Sequence, residues 1–160
     1  MYIMKRIIVS FLLILLFVTG NSQNKADTLQ RKFSGRNAGY SRSVKVIANG
    51  VITIYVSGLT GEGKTFNEQT LNAFRLLMAE LYTSNANLNQ IVKMNTYIVN
   101  LTPEYVDTFR TIRKNFFGVK ELSTEDEGMP ASTIVGISAL AEKGKLIEIE
   151  AVVVLKEAKK

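Results

Sequence analysis

Three residue types are missing from this 160-residue sequence, which contains no histidine, no cysteine and no tryptophan. Without imidazole and thiol groups, the chain lacks the usual nitrogen and sulfur ligands of zinc and copper, and it can build neither a Ser-His-Asp triad nor a thiol nucleophile. The acidic segment at residues 119–129 also lacks the ligand spacing of a calcium loop. We therefore predict no metal site and no cofactor, and any chemistry must use carboxylates, hydroxyls, lysine, arginine, backbone groups or water.

The amino terminus has the layout of a secretory signal peptide. Lys5 and Arg6 precede an apolar run at residues 7–18, which is followed by small and polar residues at 19–22. The apolar run is about twelve residues long, shorter than the roughly 20 residues that a membrane-spanning helix needs. We predict a cleaved signal peptide at residues 1–22 and export of the mature chain to the periplasm or the extracellular space, with no membrane attachment. An uncleaved signal anchor is the alternative.

The net charge gives little support for a nucleic-acid partner. The formal charge of +6 falls to +4 once the two cations of residues 1–22 are removed. Part of the remaining excess lies in the lysines of the carboxyl-terminal tail, whereas a nucleic-acid site needs a clustered basic patch with stacking aromatic residues. We therefore predict no nucleic-acid partner.

The rest of the chain has the pattern of one folded domain. Residues 23–39 are polar and are predicted to form a flexible lead-in, the domain is predicted to span residues 40–156, and residues 157–160 form a basic tail. Hydrophobic periodicity within the domain predicts the order strand, strand, helix, strand, helix, strand, strand. The predicted strands are 43–48, 51–57, 91–99, 132–140 and 145–155, and the predicted helices are 65–84 and 102–118.

Short motifs support several of these boundaries. They are Asn49-Gly50 for a two-residue hairpin turn, Thr65 with Glu68 for a capping box, and Thr102-Pro103 for a helix start. Both helices are amphipathic, so each is expected to lay one apolar stripe on a sheet. The sequence therefore predicts an α+β domain of the order ββαβαββ, with both helices on one face of the sheet. The other face is expected to be covered by another copy of the chain.

The last two predicted strands carry the most functional information. They are predicted to pair as a hairpin that directs polar groups into a cleft. Alternation along the second strand places Glu148 and Glu150 on one face and the apolar residues on the other. A strand that places two carboxylates on one face usually faces solvent or a site, so this face is the first candidate for chemistry.

A set of short motifs, taken together and in order, resembles the reactive-intermediate deaminase (RidA/YjgF) family. The resemblance covers residues 40–154, and the motifs lie at residues 40–46, 56–58, 68–70, 92–97, 130–131 and 148–151. It implies a chorismate-mutase-like fold, assembly as a homotrimer, and small-molecule clefts between the subunits.

The resemblance also implies roles for particular residues. In deaminating members of the family, a glutamate that corresponds to Glu148 holds the attacking water, and the positions of Tyr40, Ser57 and Gly58 contact the ligand. Imines hydrolyse readily once protonated, so an oriented water and one carboxylate that exchanges protons are sufficient for the reaction.

Three positions depart from the pattern of the deaminating members. Ser132 stands where an arginine grips the carboxylate of a 2-imino acid, Ile134 where cysteine is frequent, and Arg110 where the second helix has asparagine. Losing a bidentate arginine-carboxylate pair costs roughly 2 to 5 kcal/mol, which a serine hydroxyl cannot replace. Arg42 and Arg110 are the candidates to supply another cation.

Three functions follow as hypotheses. The first is an exported enamine or imine deaminase that uses Glu148 and water, for which hydrolysis of 2-imino acids is in question because of Ser132. The second is a trimer of the same fold that binds a small molecule without catalysis. The third, and most remote, is RNA binding or cleavage, for which a sequence without histidine offers no catalytic constellation.

Overall fold

A computed structural model describes residues 28–37, 39–118 and 128–157. The predicted signal peptide, the acidic segment at 119–127 and the last three residues of the predicted basic tail lie outside these ranges. The elements are the strands β1 (Gln30–Asn37), β2 (Tyr40–Ala48), β3 (Val51–Leu59), β4 (Ile91–Val99), β5 (Ala131–Ile137) and β6 (Ile147–Lys156), the helices α1 (Phe66–Thr83) and α2 (Pro103–Phe117), and a 3-10 turn at Leu88–Gln90.

Local capping chemistry sets the ends of both helices. Thr65 and Glu68 form a complete capping box at the start of α1. Thr102 accepts a hydrogen bond from the backbone of α2, which begins with proline and ends at Gly118 in the left-handed conformation at φ 72°. The predicted motifs at both helix starts are therefore confirmed.

All six strands form one mixed sheet in the order β1-β2-β3-β6-β4-β5. The pair β4-β5 is parallel and every other pair is antiparallel. A parallel pair needs a crossover connection, which α2 provides between β4 and β5. The strand β6 therefore lies in the middle of the sheet, and β5 lies at its edge.

Both helices pack on one face of the sheet, where the core lies. The aromatic side chains of α1 and α2 meet there, with ring centroids 5.9 Å apart for Phe74 and Phe109 and 4.9 Å apart for Phe74 and Phe116. Along β6, the odd-numbered residues from 147 to 153 are buried against this core. The alternation predicted for this strand is confirmed, as are the α+β class and the placement of both helices on one face.

The opposite face of the sheet carries apolar side chains, and neither α1 nor α2 lies over them. Tyr55 on β3 is 51% exposed, and Val154 on β6 is 39% exposed. Coverage of this face by a second copy stays a prediction. In the part of the chain that the structure describes, no helix has the length and apolar character needed to cross a membrane.

The prediction of a flexible lead-in is wrong for residues 30–37, which form β1 and pair along their length with β2. The domain therefore begins about ten residues earlier than predicted. An edge strand needs only backbone hydrogen bonds on one side, and its side chains can stay polar and exposed. The residues of β1 are mainly polar, and the side chains at 30–35 are largely exposed, so hydrophobic periodicity could not reveal this strand.

The predicted terminal hairpin is also wrong. β5 pairs in parallel with β4, and β6 is inserted between β3 and β4, so β5 and β6 do not touch as neighbours. The physical reason lies in burial: β6 has four deeply buried apolar residues that require a central place under α1, whereas β5 has mostly exposed residues that suit an edge.

Candidate functional site

Glu148 lies on the helix-free face of β6 and packs directly against Gly58. A methyl group at Gly58 would overlap the Glu148 carboxyl group and lie 2.7 Å from its Cγ, so only glycine permits this approach. The pairing of β3 with β6 slips here by one residue, because Val56 faces Ala151 while Leu59 faces Ile149. This bulge removes Ser57 and Gly58 from the ladder and brings their backbone next to the carboxylate.

The electrostatic environment favours proton exchange at Glu148. Burial raises the pKa of its carboxyl group, and the negative charge of Glu150 raises it further. Glu150 is held on the same face by the Tyr97 hydroxyl at 3.3 Å and the Asn95 side-chain amide at 3.4 Å. A carboxyl group whose pKa is shifted towards neutrality can serve as a general base and general acid in one reaction.

This pKa shift predicts how stability depends on pH. Because the folded-state pKa of Glu148 is raised, its carboxyl group contributes stability at acidic pH and loses that contribution as the pH rises through the folded-state pKa. Glu148→Gln is therefore expected to raise the Tm at neutral pH, with a gain that shrinks under acidic conditions. Thermal melts of both proteins from about pH 4 to about pH 8 measure this difference, and a difference that is constant across the range would contradict it.

Three of the residues predicted to bind ligand lie together at a surface cavity of about 390 Å³. Tyr40, Ser57 and Gly58 line this cavity, and Arg42 lines it as well. The Ser57 hydroxyl donates a hydrogen bond to the backbone carbonyl of Ser41 at 2.7 Å, which fixes the bulge to β2. Glu148 is not among the residues that line this cavity, but its carboxyl group packs against Gly58, which does line it. We call Tyr40, Ser57, Gly58 and Glu148 the carboxylate cluster.

A second group of candidate residues lies where β5 meets α2. The Arg113 guanidinium donates a hydrogen bond from Nη1 to the Ser132 hydroxyl at 2.9 Å. Its central carbon lies 5.5 Å from the centre of the Phe109 ring, which supports the charge by a cation-π contact. Ile134, two residues further along β5, packs against the core. We call Arg113, Ser132 and Ile134 the guanidinium cluster.

Neither arginine that was considered as a substitute cation touches Ser132 in the structure. Arg110 is 59% exposed and lies 3.9 Å from Asp107 on the same helix. Arg42 lines the cavity of the carboxylate cluster instead. The sequence interpretation missed Arg113, although a signal was available: it follows the buried Phe109 by four residues, which places both on one side of α2.

The two clusters are separate within one chain. Ser132 pairs with Met94 and points towards α2, while Glu148 pairs with Tyr97 and points to the other face. Their strands, β5 and β6, are two strand spacings apart, and their partners on β4, Met94 and Tyr97, are three residues apart. The Cα atoms of Ser132 and Glu148 are therefore about 14 Å apart. The predicted hairpin would have made the strands of Ser132 and Glu148 neighbours, whereas β4 lies between these two strands.

Comparisons with known proteins agree with this fold. The family model described as Endoribonuclease L-PSP matches residues 34–155. No curated protein matches the chain. Among solved structures, a YjgF/YER057c/UK114 family member from Mycobacterium tuberculosis has 25% identity and a TM-score of 0.61, over 80% of this chain and 100% of that chain.

Two further solved structures have the same fold. A YjgF family protein from Neisseria meningitidis has 20% identity and a TM-score of 0.63, over 81% of this chain and 98% of that chain. A protein of the conserved Rid family from Yersinia pestis has 23% identity and a TM-score of 0.60, over 75% and 90% of the two chains. These neighbours share the fold of the chain over nearly all of their own length.

Proposed function

The chain belongs to the Endoribonuclease L-PSP family, which includes the YjgF and Rid proteins, and from that premise we propose that it binds small imines or enamines and hydrolyses them with Glu148. The observation that carries this proposal is the half-buried Glu148 carboxyl group, whose pKa is raised and which packs against Gly58, one of the residues that line a cavity.

The chemistry that we assign to Glu148 is proton transfer. The carboxylate accepts a proton from a water molecule while the water oxygen bonds to the carbon of a protonated imine. The resulting carbinolamine then breaks its carbon-nitrogen bond as the Glu148 carboxyl group returns its proton to the nitrogen, which leaves as ammonia. The hydroxyl proton passes to the Glu148 carboxylate, so that the oxygen forms a neutral carbonyl group. One carboxyl group can act first as the base and then as the acid, and its raised pKa suits both roles.

The other members of the carboxylate cluster would position the reactants. Ser57 and Gly58 lie in a bulge outside the ladder to β6, so polar backbone lines the cavity beside the carboxylate. Tyr40 lines the same cavity from the start of β2. Such a surface can orient a small polar ligand and a water molecule together, which is most of what hydrolysis of an imine requires.

We further propose that the complete site forms between two subunits. The guanidinium cluster points to one face of the sheet and the carboxylate cluster to the other, about 14 Å away, so they cannot serve one small ligand within a single chain. A homotrimer of the kind that the family resemblance implies would bring the guanidinium cluster of one subunit to the carboxylate cluster of the next. The helix-free, apolar face of the sheet is suited to such packing.

A coupled assay tests the proposed function. An amino-acid oxidase generates 2-iminopropanoate from alanine in the assay mixture. The release of ammonia and of the keto acid is then followed with and without the protein. We expect the protein to accelerate this release over buffer, and we expect light scattering to give three times the chain mass for the same preparation. Equal rates with and without the protein, or a monomer, would contradict the proposal.

The alternative is a trimer that binds a small molecule without hydrolysing it, which is favoured by Ser132 at the position of the arginine. In that case metabolites would raise the Tm without any acceleration of imine breakdown. The family description also names ribonuclease activity. We regard RNA as the remote alternative because the chain has no histidine for general acid-base cleavage. Failure of the protein to retain RNA on a filter at low salt would remove it.

A further inference from the structure

Arg113 is a half-buried cation for which the described residues supply no anionic partner. Within residues 28–37, 39–118 and 128–157, no carboxylate forms an ion pair with it, and its one hydrogen bond goes to the neutral Ser132 hydroxyl at 2.9 Å. Its Nε is fully buried without a hydrogen-bond partner. Burying an arginine without an anion is costly unless the site gains one from a ligand.

The surroundings hold the guanidinium in place. The Phe109 ring supports it at 5.5 Å, and Ser132 fixes one of its donors. Burial, and then the neighbouring charge of Arg110, lower the pKa of Arg113. Because the guanidinium presents several donors in a rigid fork, the hydrogen bond to Ser132 leaves other donors available for an anion.

We propose that Arg113 is the anion clamp of the site and that it selects small ligands that carry a carboxylate. This inference rests on the proposed function, because it names the substrate class of the same site as 2-imino acids rather than neutral imines. The resemblance places the expected arginine on β5 at position 132. Here a cation on α2 contacts position 132 instead, because Arg113 donates a hydrogen bond to the Ser132 hydroxyl.

Ser132 is part of this arrangement because it leaves room for Arg113. A second guanidinium at position 132 would compete for the same space at 2.9 Å and would repel the first. Arg110 is a weaker candidate for the clamp, since it is 59% exposed and lies near the carboxylate of Asp107. An anion on Arg113 would gain a charge-assisted, two-point contact in a half-buried setting.

Binding measurements with an acid and its neutral analogue test the clamp. Calorimetry with the full mature chain compares pyruvate with pyruvamide, which differ in the carboxylate. Arg113→Gln is expected to weaken pyruvate binding by about 30-fold or more and to leave pyruvamide binding nearly unchanged. Arg113→Lys should retain part of the affinity, and Arg75→Gln, at an exposed position of α1, is the control that should have no effect.

A charge swap keeps the test informative if a single variant folds poorly. Ser132→Arg alone is expected to weaken pyruvate binding, because two guanidiniums then crowd one place. Ser132→Arg combined with Arg113→Gln returns the clamp to the strand and should restore binding to within about threefold. Pyruvate binding that is unchanged in Arg113→Gln, or a wild-type protein that binds pyruvate no better than pyruvamide, would overturn the inference.

The clamp and the catalytic proposal can fail separately. Pyruvate binding that depends on Arg113, in a protein that does not accelerate imine hydrolysis, supports the clamp and contradicts the deaminase function. Hydrolysis that is equally fast in the wild type and in Arg113→Gln supports the deaminase function and contradicts the clamp. Kinetics add a further readout, because loss of the clamp should raise KM for acidic substrates more than for neutral ones.

Discussion

Glu148→Gln is expected to lower the rate of imine hydrolysis by about 100- to 10,000-fold. Glutamine has the shape of glutamate but cannot accept a proton from water, so the substitution removes the proton transfer and keeps the packing against Gly58. Initial rates of ammonia release, measured with 2-iminopropanoate, give the size of the effect. Binding of pyruvate should persist, because its carboxylate is assigned to Arg113.

The control for this substitution is Glu157→Gln. Glu157 follows the end of β6 and is exposed, so the same loss of charge on the same segment should leave the rate unchanged. Circular dichroism and light scattering establish that both variants keep the fold and the assembly of the wild type. A rate in Glu148→Gln within a few-fold of the wild type would show that a group other than Glu148 transfers the proton, and it would contradict the role assigned to Glu148.

Features that depend on neighbours in sequence were predictable. The capping box of Thr65 and Glu68 and the helix start at Pro103 are decided by contacts within one turn, and the structure has both. The alternation along β6 also follows from sequence, because the apolar residues of a half-buried strand must face the core. From these signals, the fold class and the face that carries Glu148 could be predicted.

Features that depend on distant parts of the chain could not be predicted from the sequence. The local pattern of β5 and β6 is that of two neighbouring strands, but nothing local states that β4 takes the place between them. The strand β1 has no apolar stripe and is held by backbone pairing with β2. Both errors arise because strand pairing is decided by burial and by long-range backbone hydrogen bonds, which a single sequence does not display.

The missed Arg113 has the same origin. From sequence, the cation on α2 that came under consideration was Arg110, which occupies the position of the family's asparagine. A helix turns by about 100° per residue, so Arg110 and Arg113 point in directions about 60° apart. Of the two, Arg113 is the one that contacts Ser132 on β5. The spacing from Phe109 indicates the direction in which Arg113 points. That Ser132 lies next to Arg113 could be predicted only from the parallel pairing of β4 and β5, which the sequence does not display.

Gly58→Ala is expected to remove most of the activity while changing the stability little. The added methyl group would overlap the Glu148 carboxyl group, and the clash can be relieved because the carboxyl group is the free end of a flexible side chain. The carboxylate would then swing away from the cavity, and the rate should fall by about 100-fold or more. Rates of ammonia release and thermal melts of the same preparation measure the two effects.

Gly61→Ala is the matched control, because the same methyl group there meets a rigid obstacle. It would overlap the backbone carbonyl of Gln69 and lie 2.5 Å from the backbone nitrogen of Ala73, and α1 cannot rotate away as a side chain can. We expect Gly61→Ala to destabilise the fold by about 1 to 3 kcal/mol, with a clear fall in Tm, and to keep the activity of the folded fraction. If Gly58→Ala lowers the Tm as much as Gly61→Ala does and leaves the rate intact, then Gly58 serves the fold rather than the placement of Glu148.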